Sequence, residues 1–310
     1  MIQYRSKLSC LILLIWASAC TELTPEQVAQ HSLTPKVLVI GIDGIRPDVL
    51  MDVNTPNLDK LAEEGSFTSH AMTGYPSVSG PGWSSMLIGV WPEKHGVTDN
   101  SFEGERYDDF PDFLTRIEQI RPELSTFAVA DWVPLGRSDQ GRPTISDAVD
   151  VKHVLDGYEV GWAEADARSV QLAVQQLEGS DPDALFVYLG NPDEVSHEHN
   201  SIGSEYRGAI ALADEHVGIL VEAIRARATY GEEDWLILSS TDHGRRSDGG
   251  HGGDTEEART IYFLANGPSV ITGTPPDSIF IVDVAVTALT HLAIQIDPSW
   301  QLDGKPVGIR

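Results

Sequence analysis

Short, wholly apolar runs rich in β-branched residues recur along this chain, and longer amphipathic stretches separate them. This alternation limits the fold more than any other feature. Residues 37–42 read Val-Leu-Val-Ile-Gly-Ile, and residues 185–189, 235–239 and 260–265 share that character. A strand with one wet face alternates apolar and polar residues, whereas an unbroken apolar run fits a strand covered on both faces. Helical patterns fall at 163–177, 205–226 and 282–294. A shorter helix is expected after Thr55, with Thr55 as its cap and Pro56 in its first turn. Strand then helix, repeated, predicts an α/β fold with a mostly parallel central sheet covered by helices on both faces. With no repeat and no linker after residue 35, residues 36–310 read as one catalytic domain.

The start of the chain reads as an address. Arg5 and Lys7 precede an apolar stretch at 8–16, followed by Ala17, Ser18, Ala19 and Cys20. About ten apolar residues are too few to span a bilayer as a helix. The pattern predicts a signal peptide at 1–19 and a polar tether at 20–35. Ala17-Ser18-Ala19-Cys20 resembles a bacterial lipobox, with Ala17 where that motif usually has leucine. The resemblance implies a lipid anchor on Cys20 and an exported, periplasmic or outer-membrane-anchored lipoprotein. The other readings are an ordinary signal peptide cut nearby or a buried N-terminal helix. Cys10 and Cys20 are the only cysteines, so the expected domain has no disulfide. With 21 Lys+Arg against 47 Asp+Glu, the formal charge is −26. That charge argues against a nucleic acid polymer as partner, and against membrane contact other than through the anchor.

Three of the expected strands end in residues able to hold a metal ion, where open α/β sheets gather their ligands. Asp43-Gly44 follows the first. Asp193 follows the second and lies four residues before His197. Asp242-His243-Gly244 ends the third, and His251 sits in a glycine-rich turn. Taken singly, Asp43 is a turn former, Asp193 and His197 a chance spacing, and His251 a solvated loop residue. Together, at sheet-end loops of one chain, they point to a metal site. Mixed carboxylate and imidazole ligands suit zinc, and three Asp with three His give three protein ligands to each of two Zn2+ ions. Glu194, Glu198, His199, Asp248 and Asp254 are expected to lie outside the ligand set.

Residues 76–89 supply a candidate nucleophile. Pro81 suits a first helical turn, which puts Ser79 at the amino end of a helix, where free N–H groups favour a phosphate oxygen. A serine hydroxyl needs a base or a metal ion to act as a nucleophile. Alone, Ser79 reads as a helix cap. Ser77, Ser84 and Ser85 are rivals without a helix start behind them.

Residues 37–48, Thr55-Pro56-Asn57-Leu58, the segment from Ser79 to Val97, Asp193 with His197, Asp242-His243-Gly244 and His251 form a specific set. As a set it resembles the alkaline phosphatase superfamily, in particular its nucleotide pyrophosphatase/phosphodiesterase branch. The resemblance implies that Asp193, His197 and His251 hold one zinc, and that Asp43, Asp242 and His243 hold the other beside the nucleophile Ser79. It implies that Asn100 donates to a phosphate oxygen and that His95 is structural. The expected function is a two-zinc phosphoric ester hydrolase, phosphodiesterase-like, acting on a small-molecule phosphate ester through a phosphoserine intermediate. Two departures stand out. The branch usually has threonine followed by an aromatic that stacks on the nucleotide base, where this chain has Ser79-Gly80. The stretch from Ser79 to Trp83 also resembles the sulfatase signature, which has arginine where Trp83 stands. Alternatives are therefore a phosphomonoesterase or sulfatase on the same scaffold, or a non-catalytic metal-binding surface lipoprotein. A monoesterase generally adds a cation, for which Arg46, Arg245 and Arg246 are candidates. Residues 103–161 are the expected source of a specificity-setting lid.

Overall fold

The seven strands are β1 (Thr34–Ile42), β2 (Ser66–Met72), β3 (Thr126–Ala130), β4 (Val151–Val154), β5 (Ala184–Leu189), β6 (Glu233–Ser240) and β7 (Thr260–Asn266). They form one sheet in the order β2-β7-β6-β1-β5-β3-β4. The five strands from β6 to β4 are parallel, and β7 and β2 add an antiparallel margin. This computed structural model describes residues 33–138, 141–275 and 278–310. The expected signal peptide, Cys20 and most of the tether lie outside the described residues. β1 itself begins at Thr34, opposite Glu233.

In chain order the helices among the described residues are α1 (Pro47–Leu50), α2 (Pro56–Glu64), α3 (Ser79–Ile88), α4 (Pro92–His95), α5 (Phe113–Ile120) and α6 (Val133–Gly136). They continue with α7 (Gly157–Val160), α8 (Trp162–Gly179), α9 (Asn191–His199), α10 (Ser204–Arg225), α11 (Glu256–Arg259) and α12 (Asp283–His291). Side chains alternate along β1, so Val37 and Val39 enter one core and Leu38, Ile40 and Ile42 the other. The first core is closed by α3, α5 and α12, the second by α2, α8 and α10. The sheet is thus covered on both faces, as the unbroken apolar runs require. None of the helices among the described residues is long and apolar enough to cross a membrane.

Two local expectations change. The Thr55 side chain does not cap α2; its hydroxyl donates to Asp59. The start of α2 is instead capped from across the fold by Asp214 of α10, which accepts from the N–H groups of Asn57 and Leu58. The last helix stops at His291 rather than at 294, because Ala293 turns to a φ of 56°.

His95 is structural, as the resemblance implies. It is fully buried, accepts from the Val97 N–H at Nδ1 and meets the Ser85 hydroxyl at Nε2, 3.0 Å away. Burial pushes its imidazole down to about 3. The unfolded chain therefore takes up this proton near pH 6.5 and the folded chain does not, so stability falls as pH drops from about 6.5 towards 3. At pH 4.5 the loss is about 3 kcal/mol. Denaturant titrations at pH 7.5 and 4.5 should show a smaller difference for His95→Asn than for the parent chain.

Candidate metal centre and nucleophile

The six expected ligands meet at the carboxyl ends of β1, β5 and β6, in two groups of three: Asp43 with Asp242 and His243, and Asp193 with His197 and His251. Within each group the donor atoms lie within 4.8 Å of one another. β1 delivers Asp43, β6 runs out into Asp242-His243, and α9 carries Asp193 and His197 one turn apart.

The buried group has one donor atom of each residue left over. Oδ2 of Asp43 accepts from Trp83 Nε1 (2.9 Å) and from the Tyr188 hydroxyl (2.6 Å), while Oδ1 has no partner. Oδ1 of Asp242 accepts from the Gly44 N–H, while Oδ2 has no partner. His243 Nδ1 meets the Gly244 carbonyl at 3.0 Å, which leaves Nε2 3.3 Å from Asp242 Oδ2 and 3.6 Å from Asp43 Oδ1. Orphaned oxygens in a dry site are costly unless something positive satisfies them.

The second group is built alike. His251 Nδ1 is held by the Ser77 carbonyl at 3.1 Å, so its Nε2 faces His197 Nε2 at 2.9 Å. Asp193 Oδ2 is 3.1 Å from His197 Nε2, and its Oδ1 is taken by the guanidinium of Arg245. The rings of His243 and His251 stack with centroids 3.8 Å apart, which ties the two groups together. Gly44, at a φ of 65°, makes room: a Cβ there would lie 2.3 Å from Asp193 and 2.4 Å from Arg245.

Electrostatics agrees with the donor pattern. Burial, then the charges of Asp242 and Asp193, pushes the Asp43 carboxyl well above its ordinary range, and burial and Asp193 push Asp242 up to about 7. Burial acts the same way on Asp193, but Arg245 and His197 outweigh it and hold that carboxyl far below the usual range. Burial, then His251, holds His243 neutral. A divalent cation would keep all three carboxylates ionised. The donor set of oxygens and imidazole nitrogens therefore fits metal ions.

Ser79 is the first residue of α3 rather than its cap, a position held by Val78, and its hydroxyl turns to His243. Its Oγ lies 3.4 Å from His243 Nε2. The rival hydroxyls are committed elsewhere: Ser77 to the Gly253 carbonyl, Ser84 to Gly80 and Tyr107, Ser85 to His95. Oδ1 of Asn100 accepts from the Gly80 N–H at 2.7 Å, which turns its amide N–H groups to the cavity. That bond also corrects one expectation, because the Gly80 amide is spent on Asn100 and is not free for a phosphate oxygen.

Asp43, Ser79, Asn100, Asp193, His197 and His251 line a cavity of about 280 Å³. Trp132, Tyr158, Tyr188 and Glu194 complete its wall. Among the described residues, no lysine or arginine lines it. Arg46 pairs with Asp48, Arg246 with Asp248, and Arg245 is buried on Asp193, so none of the three candidate cations lines the cavity. Glu194 accepts from the Tyr158 hydroxyl, Asp254 pairs with Arg259, and Glu198 and His199 are exposed, all outside the ligand set. Sequence reasoning missed Trp83, Tyr188 and Tyr158. Trp83 reaches Asp43 by lying over Gly41, where a Cβ would collide with its ring at 2.4 Å.

The family described as Type I phosphodiesterase / nucleotide pyrophosphatase matches residues 37–113 and 123–247, most of the described chain. The chain belongs to that family. Among curated members of the phosphodiesterase/pyrophosphatase group, ectonucleotide pyrophosphatase/phosphodiesterase family member 7 of Rattus norvegicus is 24% identical over 257 residues, 75% of this chain and 54% of that protein. Bis(5'-adenosyl)-triphosphatase ENPP4 of Homo sapiens is 22% identical over 240 residues, covering 76% and 52%. The chain spans about half the length of these relatives. Among solved structures, murine ectonucleotide pyrophosphatase/phosphodiesterase 5, an inactive variant in complex with AMP, aligns with a TM-score of 0.64 at 14% identity, over 85% of this chain and 96% of that one. A 2-O GAG sulfatase aligns at 0.69 and 13%, over 88% and 73%. Both share the alkaline phosphatase-like fold with this phosphodiesterase-family chain.

Proposed function

We propose that the protein hydrolyses a small-molecule phosphodiester, with two zinc ions and a phosphoserine intermediate on Ser79. The observation that carries this reading is the pairing of two groups of three candidate ligands with a serine hydroxyl at a helix start, 3.4 Å from His243 Nε2. Zinc, when bound, would be held by Asp43, Asp242 and His243 and by Asp193, His197 and His251, and would supply Lewis acidity to the phosphoryl oxygens and the serine hydroxyl. Ser79 Oγ forms a bond to phosphorus as the ester oxygen of the leaving alcohol departs with a proton. Water then cleaves the phosphoserine ester and restores the hydroxyl. Asn100 donates to an equatorial oxygen, where negative charge builds. The diester preference rests on the missing cation: a monoester carries one more negative charge into a cavity whose described wall already holds Asp43, Asp193 and Glu194. The exposed ring of Tyr158, fixed by Glu194 and edge-on to Trp162 at 4.9 Å, offers a flat face for the group beyond the phosphate. A sulfatase reading is weakened by Trp83, whose indole N–H is spent on Asp43 where the sulfatase signature has arginine. We further propose export and a lipid anchor at Cys20.

Hydrolysis of bis-p-nitrophenyl phosphate, p-nitrophenyl phosphate and p-nitrophenyl sulfate by one zinc-loaded preparation tests this. The diester should lead in kcat/KM by at least about tenfold, a difference of about 1.4 kcal/mol in transition-state binding. Faster monoester or sulfate cleavage would reassign the substrate class. Chelation should abolish activity and lower Tm, and zinc should restore both, with about 4 kcal/mol of stabilisation at a thousand times Kd. A Tm indifferent to chelator and zinc would sink the metal site.

A further inference from the structure

A second pair of buried carboxylates, Asp131 and Asp166, lies outside the ligand set. Asp131 follows β3 and is 0% exposed; Asp166 sits in the second turn of α8 and is 1% exposed. The two side chains lie side by side, and neither oxygen of Asp131 has a hydrogen-bond partner. Asp166 is better served. Its Oδ1 accepts from the N–H of Gly190 at 2.8 Å and of Asn191 at 3.3 Å. These residues open α9; Gly190 has no side chain to cap it, and Pro192 has no N–H. The next residue is Asp193, and His197 follows one turn later. A carboxylate on α8 thus caps the helix that carries two of the proposed ligands.

Two ionised carboxylates in contact and out of water repel each other, and Asp43 adds to the repulsion. Burial, then the charge of Asp166, drives the Asp131 carboxyl well above its ordinary range, and burial pushes Asp166 up to about 7. One shared proton removes the conflict. It belongs on Asp131, because two amides already stabilise the charge on Asp166.

We infer that Asp131 and Asp166 share a single proton and form a clamp of one net charge on the start of α9, making them positioning residues for Asp193 and His197. This rests on the reading of Asp193 and His197 as metal ligands. Protonated Asp131 donates to the free oxygen of Asp166, and Asp166 fixes the direction in which α9 leaves β5.

The test compares D131N, D166N, D166A and D193N with the parent protein. The readouts are Zn2+ affinity by competition with a chelating dye, zinc equivalents bound, and the infrared carbonyl band of a protonated carboxylic acid. In the zinc-loaded protein, where the metal keeps Asp43 and Asp242 ionised, the band is expected at neutral pH and should vanish in D131N, whose amide still donates to Asp166. Zinc affinity should stay within about threefold in D131N and D166N and fall by about 10–100-fold in D166A, the range for lost support of a ligand. Should D166A fail to fold, D166N and D131N still decide the shared proton, because each preserves one donor, one acceptor and one charge, and D166L, which fills the space without an acceptor, replaces D166A as the test of the clamp. A missing band, or D131N weakening zinc tenfold or more, overturns the shared proton. D166A binding zinc as tightly as the parent overturns the clamp. A third zinc equivalent lost in D131N shows a cation where the proton is placed and overturns the inference. Full zinc binding by D193N strikes the ligand reading instead.

Discussion

Ser79→Ala is expected to lower kcat for a chromogenic phosphodiester by at least about 1,000-fold while leaving bound zinc unchanged. The separation of the two effects follows from what the hydroxyl does and does not hold. Ser79 belongs to neither three-ligand group and caps no amide of α3. Removing its oxygen therefore leaves the six candidate ligands and the helix start in place, and takes away only the atom proposed to attack phosphorus. No neighbour can substitute, because Ser77, Ser84 and Ser85 each have their hydroxyl committed elsewhere. Steady-state kinetics with metal analysis on the same sample checks this. A variant that keeps a tenth of the parent rate would show that the serine is not the nucleophile.

The second large effect is expected from Asp43→Asn, which should weaken zinc binding at its group by more than about 100-fold, beyond the usual cost of losing a supporting residue. The amide oxygen can still accept from Trp83 and Tyr188, which now serve Oδ2. That choice points the amide N–H groups at Asp242 and His243, so donors stand where acceptors stood. The chain should fold, bind about one equivalent of zinc fewer and lose diester hydrolysis. Far-UV circular dichroism, metal content and kinetics together distinguish this from simple unfolding. Undiminished zinc content would remove Asp43 from the ligand set.

The central strands and the two groups of candidate metal ligands were legible in the sequence for one reason. A strand buried on both faces leaves an unbroken apolar run, and polar residues mark its end, here Asp43 directly after β1 and Asp242 after Ser239, Ser240 and Thr241 at the end of β6. The margins of the sheet carry no such mark. β2 reads Ser-Phe-Thr-Ser-His-Ala-Met and β4 reads Val-Lys-His-Val, both half wet, and their pairing is decided by contacts with β7 and β3 rather than by local pattern. Thr55 looked like a cap because its type and position suit one, but Asp214, 159 residues away in the chain, took the amides. Trp83 and Tyr188, 40 and 145 residues from Asp43, were hidden too, since nothing in an indole or a phenol announces that it will meet that carboxylate. Arg245 was read as a possible substrate cation, and only packing could place it on Asp193 instead.

The six candidate ligands stand between residues 43 and 251, on segments that follow β1, β5 and β6. None of these segments alone carries a complete group, since each group joins two of them. Cation uptake must then be among the last events of assembly, after the middle of the sheet has paired. Refolding in the presence of a zinc-sensing dye should accordingly show capture lagging behind the recovery of strand signal, so that metal acquisition serves as a readout of completed folding.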